Sequence, residues 1–339
     1  VNHYPRLSLL AQAVVSSHNS PPGTREIGTT VGLMSTSSSR HKVSKVAYRT
    51  PLGRMIHGEL EQVISESTVR KLKGAVNLIF TSPPFPLTRR KKYGNKVGQE
   101  YVDWLGRLAP LLGDLLAPDG SIVIEIGNVW NPGEPTMSTL PLEALMAFKQ
   151  AGQFELCQQF VCNNPSRLPG PAQWVNVERV RVKDSYTHLW WLSGTSRPFA
   201  DNRRVLQPYK DGMKSLLRRK TYNHGQRPSG HQIGSQSFLQ DNGGAIPSNM
   251  LEYANTNNSA EYLEYCANLG ITSHPARMAP GLAEFFIQFL TRERDLVLDP
   301  FAGSNTTGCV AESLGRRWVS IEANEEYIEG SKGRFEAWR

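Results

Sequence analysis

Two consecutive prolines, Pro83 and Pro84, stand just after the apolar run 76–80 (VNLIF) and limit what this part of the chain can become. A short apolar run bounded by turn residues reads as a buried strand. Proline has no N–H to give to a ladder and holds φ at about −65°, so the strand must end there. A stiff loop, Thr81-Ser82-Pro83-Pro84-Phe85, therefore leaves the carboxyl end of the strand. In open α/β sheets that end is where ligands bind. A serine hydroxyl, a proline carbonyl with no ladder partner and an aromatic ring suit a planar base. The ring stacks on its face, and the oxygens accept from an exocyclic amine.

The rest of the chain repeats this alternation. Residues 55–60 read as a short strand, a glycine turn at Gly58 and the start of a helix through Val63 to Leu72. Residues 99–116 carry helical apolar spacing, Pro118-Asp119-Gly120 reads as a turn, and 121–126 (SIVIEI) as a second buried strand. A helix at 140–151 and strands at 155–161 and 185–193 follow. Later come a helix at 284–290, strands at 295–299 (DLVLD) and 318–322 (WVSIE), and a last helix. Strands alternating with helices predict an α/β fold with a mostly parallel sheet covered on both faces.

The 300–308 stretch (PFAGSNTTG) turns from one strand into the helix at 309–314, and Glu322 ends the next strand, 19 residues after Gly303. That order is a nucleotide-binding logic. Small residues admit the ligand, the helix start favours an anion, and an acid roughly 20 residues on takes ribose hydroxyls. Two rivals fail on detail. Gly303 and Gly308 have the spacing of a phosphate loop, but Cys309 stands where that loop needs lysine. The G-x-G-x-x-G of dinucleotide sites is absent. A ribose-bearing ligand with a carboxylate and no phosphate remains: S-adenosylmethionine.

Charge and composition narrow the partners. Of 339 residues 39% are apolar, enough for a large core, and the net charge of +8 favours a polyanionic partner. The four cysteines are too few and too scattered for a disulfide scaffold or a zinc site, which suits a reducing cytoplasm. No run has the length a membrane span needs. Residues 1–49 read as a flexible arm rich in Ser, Thr and His, with Met34 an alternative start to Val1. Arg89, Arg90, Lys91 and Lys92 form a basic loop, and four adjacent cations will not pack in a core. From 195 to 265 periodicity fades and basic clusters rise: Arg203 and Arg204, Arg218 and Arg219, Arg227, His231. This reads as an inserted DNA-reading lobe that contacts phosphates and bases.

The motifs TSPPFPLTRRKKYGN, EYVDWL, NNPSRLP, VNVERVRVKDSYTHLWW, RPSGHQIG, DNGGAIPSN, HPARM and DPFAGSNTTG together resemble the amino-methyltransferases of restriction–modification systems, in their N4-cytosine branch. The resemblance runs from about residue 50 to the end. It implies a Rossmann-like methyltransferase fold with a mostly parallel seven-stranded sheet, circularly permuted, plus an inserted target-recognition lobe. The implied divisions are 1–49, 50–194 (catalytic half), 195–265 (target recognition) and 266–339 (cofactor half). It implies double-stranded DNA as partner, a cognate restriction endonuclease that need not touch the protein, and action as monomer or homodimer. Ser82, Pro83, Pro84 and Phe85 would be catalytic, with Phe85 stacked on a flipped cytosine while Ser82 and the Pro83 carbonyl accept from its N4 amine. Ser82 or a water would take the proton. Asp299, Phe301, Gly303, Ser304, Asn305 and Thr306 would face the methionine end of the cofactor. Glu322 would take the ribose, Glu59 the adenosine side, and His274, Pro275, Arg277 and Met278 the pocket lining. Asn305 departs from the family, where glycine is common, as does Met278, where an aromatic usually follows. The cysteines lack the Pro-Cys loop of enzymes that form a covalent bond to the base. N6-adenine methylation shares this fold, although an acid usually replaces serine in its loop. A non-catalytic DNA-binding protein and an RNA substrate are the other readings.

Overall fold

The apolar runs that end in the two polar loops lie side by side at the centre of one sheet. A computed structural model gives the fold and describes residues 44–65, 71–86, 96–234, 237–254 and 260–338. The chain opens with the hairpin β1 (Lys45–Arg49) and β2 (Gly53–His57), then α1 (Leu60–Ser65) and β3 (Val76–Thr81). Helix α2 (Gln99–Gly113), β4 (Leu116–Gly127), α3 (Leu140–Gly152), β5 (Glu155–Asn163) and β6 (Tyr186–Ser193) follow. A less regular stretch holds α4 (Asp211–Arg219), the small hairpin β7 (Gly225–Gln226) and β8 (Gln232–Ile233), and β9 (Met250–Glu252). The chain closes with α5 (Ala260–Asn268), α6 (Pro280–Leu290), β10 (Leu296–Asp299), α7 (Thr306–Ser313), β11 (Arg317–Glu322) and α8 (Glu325–Ser331).

The nine-stranded sheet has the order β1-β2-β11-β10-β3-β4-β6-β5-β9. Strands β2, β11, β10, β3 and β4 are parallel, and β6 runs antiparallel between β4 and β5. The seven strands from β2 to β5 are the sheet that the sequence resemblance implies. Strands β1 and β9 extend it at its two edges. Neighbours β10 and β3 are far apart in the chain, and from them the sheet grows in opposite directions. That makes their carboxyl ends a topological switch point, where a crevice opens for ligands.

Helices cover both faces. On one, α2 and α3 bury Tyr101, Trp104, Leu105, Leu108 and Phe148 against Ile79, Ile122 and Ile124. On the other, α6 buries Leu282, Phe285, Phe286 and Phe289 against Phe80, Leu78 and Val297. Neighbouring residues of β3 thus serve opposite faces, the period of a pleated strand. Each such side chain contributes roughly 1.5–3 kcal/mol by leaving water.

Four boundaries differ from expectation. Residues 45–49 are not part of a flexible arm: they pair with β2 as an edge strand, and residues 1–43 lie outside those described. The helix at α1 does not extend to Leu72, because 71–75 form turns. Pro118-Asp119-Gly120 does not separate two elements. Val76 stands opposite Leu116 and Leu78 opposite Ser121, so the tripeptide bulges within β4. There a Cβ on Gly120 would sit 2.7 Å from the Val76 carbonyl oxygen, which excludes any larger residue. Finally, α5 starts at residue 260 and belongs to the main body: Tyr262 and Cys266 close on Gly330 of α8.

Candidate active site

Ser82 leaves the end of β3 and meets a residue that sequence reasoning passed over. Glu125 on the adjacent strand β4 receives hydrogen bonds from the Ser82 hydroxyl and from Thr187 Oγ1 of β6, the latter at 3.0 Å. Burial pushes its pKa up, and these two hydroxyls and the nearby Arg167 guanidinium oppose that shift. A lone acid inside an otherwise apolar strand (SIVIEI) was the available signal. Its neighbours on other strands could not be read from the sequence.

Phe85 lies across the end of β4. A Cβ on Gly127 would come 2.6 Å from its ring, so the absence of a side chain at Gly127 makes the seat for the aromatic. Pro83 is buried and Pro84 exposed, which turns the loop outward between these two contacts. The polar cluster continues along β6. His188 Nε2 lies 2.9 Å from Asn128 Oδ1, and Asn128 Nδ2 donates to Asp184 Oδ1 at 2.8 Å.

The second loop begins at Asp299, which ends β10. Its carboxylate is saturated from within: it accepts from Thr81 Oγ1 (2.8 Å), Thr307 Oγ1 (2.7 Å) and the Phe301 N–H (3.1 Å). Burial raises its pKa to about 6 against these bonds. Asp299 therefore ties the catalytic strand, the loop and the start of α7 together, which is a positioning task. Phe301 packs edge-on against Trp104 of α2.

Gly303 and Asn305 both have left-handed φ, 50° and 55°. Asparagine is one of the few residues with a side chain that visits this region, so Asn305 replaces the expected glycine without breaking the turn. Its side chain faces inward. Oδ1 accepts from the Gly308 N–H (3.2 Å) and Ser320 Oγ (2.7 Å), and Nδ2 donates to the Tyr48 hydroxyl (2.9 Å). Asn305 thus caps α7 and braces the loop, and its side chain does not line a methionine site as expected. Tyr48 sits on β1, in the stretch the sequence suggested was flexible. Ser304 is also held from behind: Arg334 donates to its carbonyl (2.7 Å) and hydroxyl (3.0 Å), with the guanidinium over the Tyr262 ring. Buried Thr306 opens α7 beside it.

Glu322 ends β11, adjacent to β10. Its carboxylate accepts the backbone N–H groups of Gly303 and Asn324, both at 2.8 Å, and that of Ala323, which leaves an acceptor site for a ligand. Burial raises its pKa. Glu59 is exposed next to it, since Gly58 N–H bonds the Glu322 carbonyl. His274 closes the other side. Its Nε2 would be 2.9 Å from a Cβ on Gly303, so only glycine lets the imidazole approach the loop. Tyr327 packs edge-on against that ring, and Arg277 donates to the His274 carbonyl at 2.8 Å. Arg277 Nε is buried with no hydrogen-bond partner among the described residues. Met278 packs against the α6 core, and Pro275 is exposed. The Glu322 carboxylate, a glycine-opened loop and an unsatisfied guanidinium nitrogen form a set that fits a ribose-bearing ligand with a carboxylate tail.

The expected DNA contacts divide. Arg89 to Lys92 lie outside the described residues. Arg203 and Arg204 do not face the crevice. They pair with Asp201 at 2.7 and 3.5 Å, and Arg203 lowers the Asp201 pKa to about 2. Arg204 also donates to the carbonyl of Thr291, between α6 and β10, at the amino end of the parallel strands. They are on the wrong edge because residues 199–205 run back under the sheet to bond Asp119 and Phe289. Arg218 and Arg219 end the exposed helix α4, and Arg227 stacks on Tyr222 beside the β7–β8 hairpin that carries His231.

Residues 76–333 match the family model described as DNA methylase. The chain belongs to that family. It is 43% identical over 297 residues to the type II methyltransferase M.PvuII of Proteus hauseri, covering 86% of each chain. It is 26% identical over 256 residues to M.BglII of Bacillus subtilis, covering 75% of this chain and 62% of that one. Among solved structures it resembles the cytosine-N4-specific PvuII DNA methyltransferase. The TM-score is 0.68 at 37% identity, covering 86% of this chain and 89% of that one. The enzyme is therefore a DNA methyltransferase, with S-adenosylmethionine as the methyl donor of its family. Among the described residues no helix is long and apolar enough to cross a membrane, and no group of His, Cys, Asp and Glu has the geometry to hold a metal.

Proposed function

We propose that the enzyme methylates the exocyclic N4 amine of a cytosine turned out of duplex DNA, and serves as the protective member of a restriction–modification pair in the bacterial cytoplasm. The observation that carries this reading is the Ser82–Glu125 contact at the mouth of the crevice, beside the Phe85 ring and one strand away from Asp299. The cytosine-N4 specificity of the PvuII relative supports cytosine over adenine.

Bound S-adenosylmethionine supplies an electrophilic methyl group. Asp299, Asn305 and Arg334 hold the loop that would seat it, and Glu322 and Glu59 would receive its ribose and adenosine side. Phe85, seated on Gly127, stacks on the flipped base and offsets part of the few kcal/mol that unstacking costs. Ser82 donates its proton to Glu125, which leaves the Oγ lone pairs to accept an N4–H. That bond localises the nitrogen lone pair for in-line attack. Transfer of the methyl group from sulfur to N4 would release the N4 proton to Ser82 Oγ as the Ser82 proton passes to Glu125. Burial suits Glu125 to this step, because a carboxylate with a raised pKa takes up a proton more readily. No cysteine is called on: the described cysteines are unpaired, and burial raises the pKa of Cys157, Cys162 and Cys309.

The test is transfer of labelled methyl to genomic duplex DNA, followed by nucleoside mass spectrometry and mapping of the modified site. N4-methylcytosine is the expected product; N6-methyladenine would overturn the assignment of Ser82. Ser82→Ala should lower turnover at least on the order of a hundredfold with cofactor affinity nearly unchanged.

A further inference from the structure

Between β5 and β6 the chain makes a long excursion, residues 164–185, from the same sheet edge as Ser82 and Phe85. Strand β6 runs antiparallel, so its first residues lie at the carboxyl ends of the parallel strands: Thr187 stands opposite Gly127 and bonds Glu125. The base of the loop is fastened to this cluster. Asp184 accepts from Asn128 and pairs with Arg167 at 3.7 Å, and Arg167 donates to the Tyr186 carbonyl. Arg181 Nε reaches the Pro135 carbonyl at 2.7 Å, across the turn that follows β4.

The loop is ordered, yet its tip has the wrong surface for water. Backbone bonds from Val180 and Arg181 to Trp174, and from Asp184 to Gly170, fold it on itself. On that frame Val177, Val180 and Val182 stand 68%, 48% and 86% exposed. Arg179 and Arg181 alternate with them and Lys183 follows. Arg181 donates to the Pro135 and Val180 carbonyls and Lys183 to that of Pro165, but none of the three meets a carboxylate among the described residues: the nearby acids Glu178 and Asp184 are bonded to Gln173, and to Asn128 and Arg167. Arg179 is held at φ 59°, a strained position for a long side chain that persists only where the surroundings impose it. A rigid display of bare valines among cations that no carboxylate neutralises, beside the group that handles the target amine, matches one ligand. Cations meet phosphates, and apolar side chains enter where a base step has been opened.

We infer that residues 174–183 form a wedge that enters duplex DNA beside the target base, with the valines holding the opened stack and Arg179, Arg181 and Lys183 on the flanking phosphates. The inference rests on the proposed methylation of a flipped base. It adds a second DNA contact, at the catalytic edge and separate from the 195–265 region. Two variants of the full-length protein separate the two parts, Val177→Ser/Val180→Ser/Val182→Ser and Arg179→Ala/Arg181→Ala/Lys183→Ala. The probes are a duplex carrying the mapped site and the same duplex with a mismatch opposite the target base.

The valine variant should bind the cofactor as before and lose turnover on the paired duplex by on the order of tenfold or more. It should regain most of this loss on the mismatched duplex, where little unstacking remains to be supported. The cation variant should weaken binding to both duplexes and flatten the salt dependence by about 0.9 per lost phosphate contact. Turnover of the valine variant equal to wild type on the paired duplex would overturn the wedge and leave the valines to a protein partner. Equal loss on both duplexes would also overturn it. Absence of methyl transfer to any DNA by the wild type would instead overturn the reading on which it rests.

Discussion

Replacing Asp299 by asparagine should remove a pH dependence from the fold. Asp299 is 4% exposed, and burial raises its pKa to about 6 although three donors favour the charged form. In the unfolded chain an aspartate titrates at about 3.9. The sign follows from proton uptake. Below pH ~4 both states carry the proton and the group contributes nothing. As pH rises towards 6 the unfolded chain has released its proton and the folded protein has not, so the folded state loses stability. Two pKa units at 1.36 kcal/mol each give a loss of about 3 kcal/mol, complete above the folded pKa. Asparagine has no charge to bury. One of the Thr81 and Thr307 hydroxyls can turn to accept from its Nδ2, which leaves a constant offset of about 1 kcal/mol for the weaker bonds. Urea titrations of both proteins at pH 4, 5, 6 and 7 give the stability difference at each pH. It should shift in favour of Asp299→Asn by about 2 kcal/mol between pH 4 and pH 7, because part of the change falls below pH 4. A difference constant within about 0.5 kcal/mol would show that Asp299 titrates alike in both states, and would refute the burial argument.

Glu125→Gln should lower turnover by about 10²–10⁴ while cofactor binding holds, and should abolish the acid limb of the pH–rate profile; an unchanged limb would remove Glu125 from proton transfer. Tyr48→Phe strands the buried Asn305 amide, so calorimetry should show a loss of about 1–3 kcal/mol and equilibrium dialysis a weaker hold on the cofactor. Gly303→Ala puts a Cβ into a left-handed turn against His274; a strain of roughly 1–2 kcal/mol should appear as poorer cofactor affinity, and unchanged affinity would mean that the loop gives way. Arg203→Ala should leave DNA affinity and its salt slope as they are, whereas Arg227→Ala should reduce the slope by about one; a reduced slope for Arg203→Ala would contradict its place at the far edge.

Local chemistry explains why the two loops were legible before any coordinates. The prolines after 76–80 end a strand wherever that strand lies, and the spacing from Gly303 to Glu322 is set by one turn, one helix and one strand. Asn305 is a harder case. Glycine is common at this position, and nothing near Asn305 in the chain shows why it fits: its side chain is consumed by Gly308, Ser320 and Tyr48, residues up to 257 positions away. Tyr48 was hidden by its setting: one short strand at the end of a polar arm has no periodicity to reveal it, and its worth comes from Asn305, Ser331 and Trp318. Arg203 and Arg204 misled for the opposite reason. A basic pair in a polar stretch looks like a phosphate contact until Asp201 and Thr291 are seen to hold it.

The sequence by itself determined the alternation of strand and helix, the two strand-end loops and their family, because each follows from bonds and apolar contacts within about 20 residues. Only the tertiary structure decided which acid meets Ser82, what braces the cofactor loop, and which basic residues share an edge with the active site. Those depend on strand order: β10 is inserted beside β3 and β6 is turned antiparallel against β4, which brings Asp299, Ser82, Glu125 and Thr187 together across gaps in the chain that no local pattern spans.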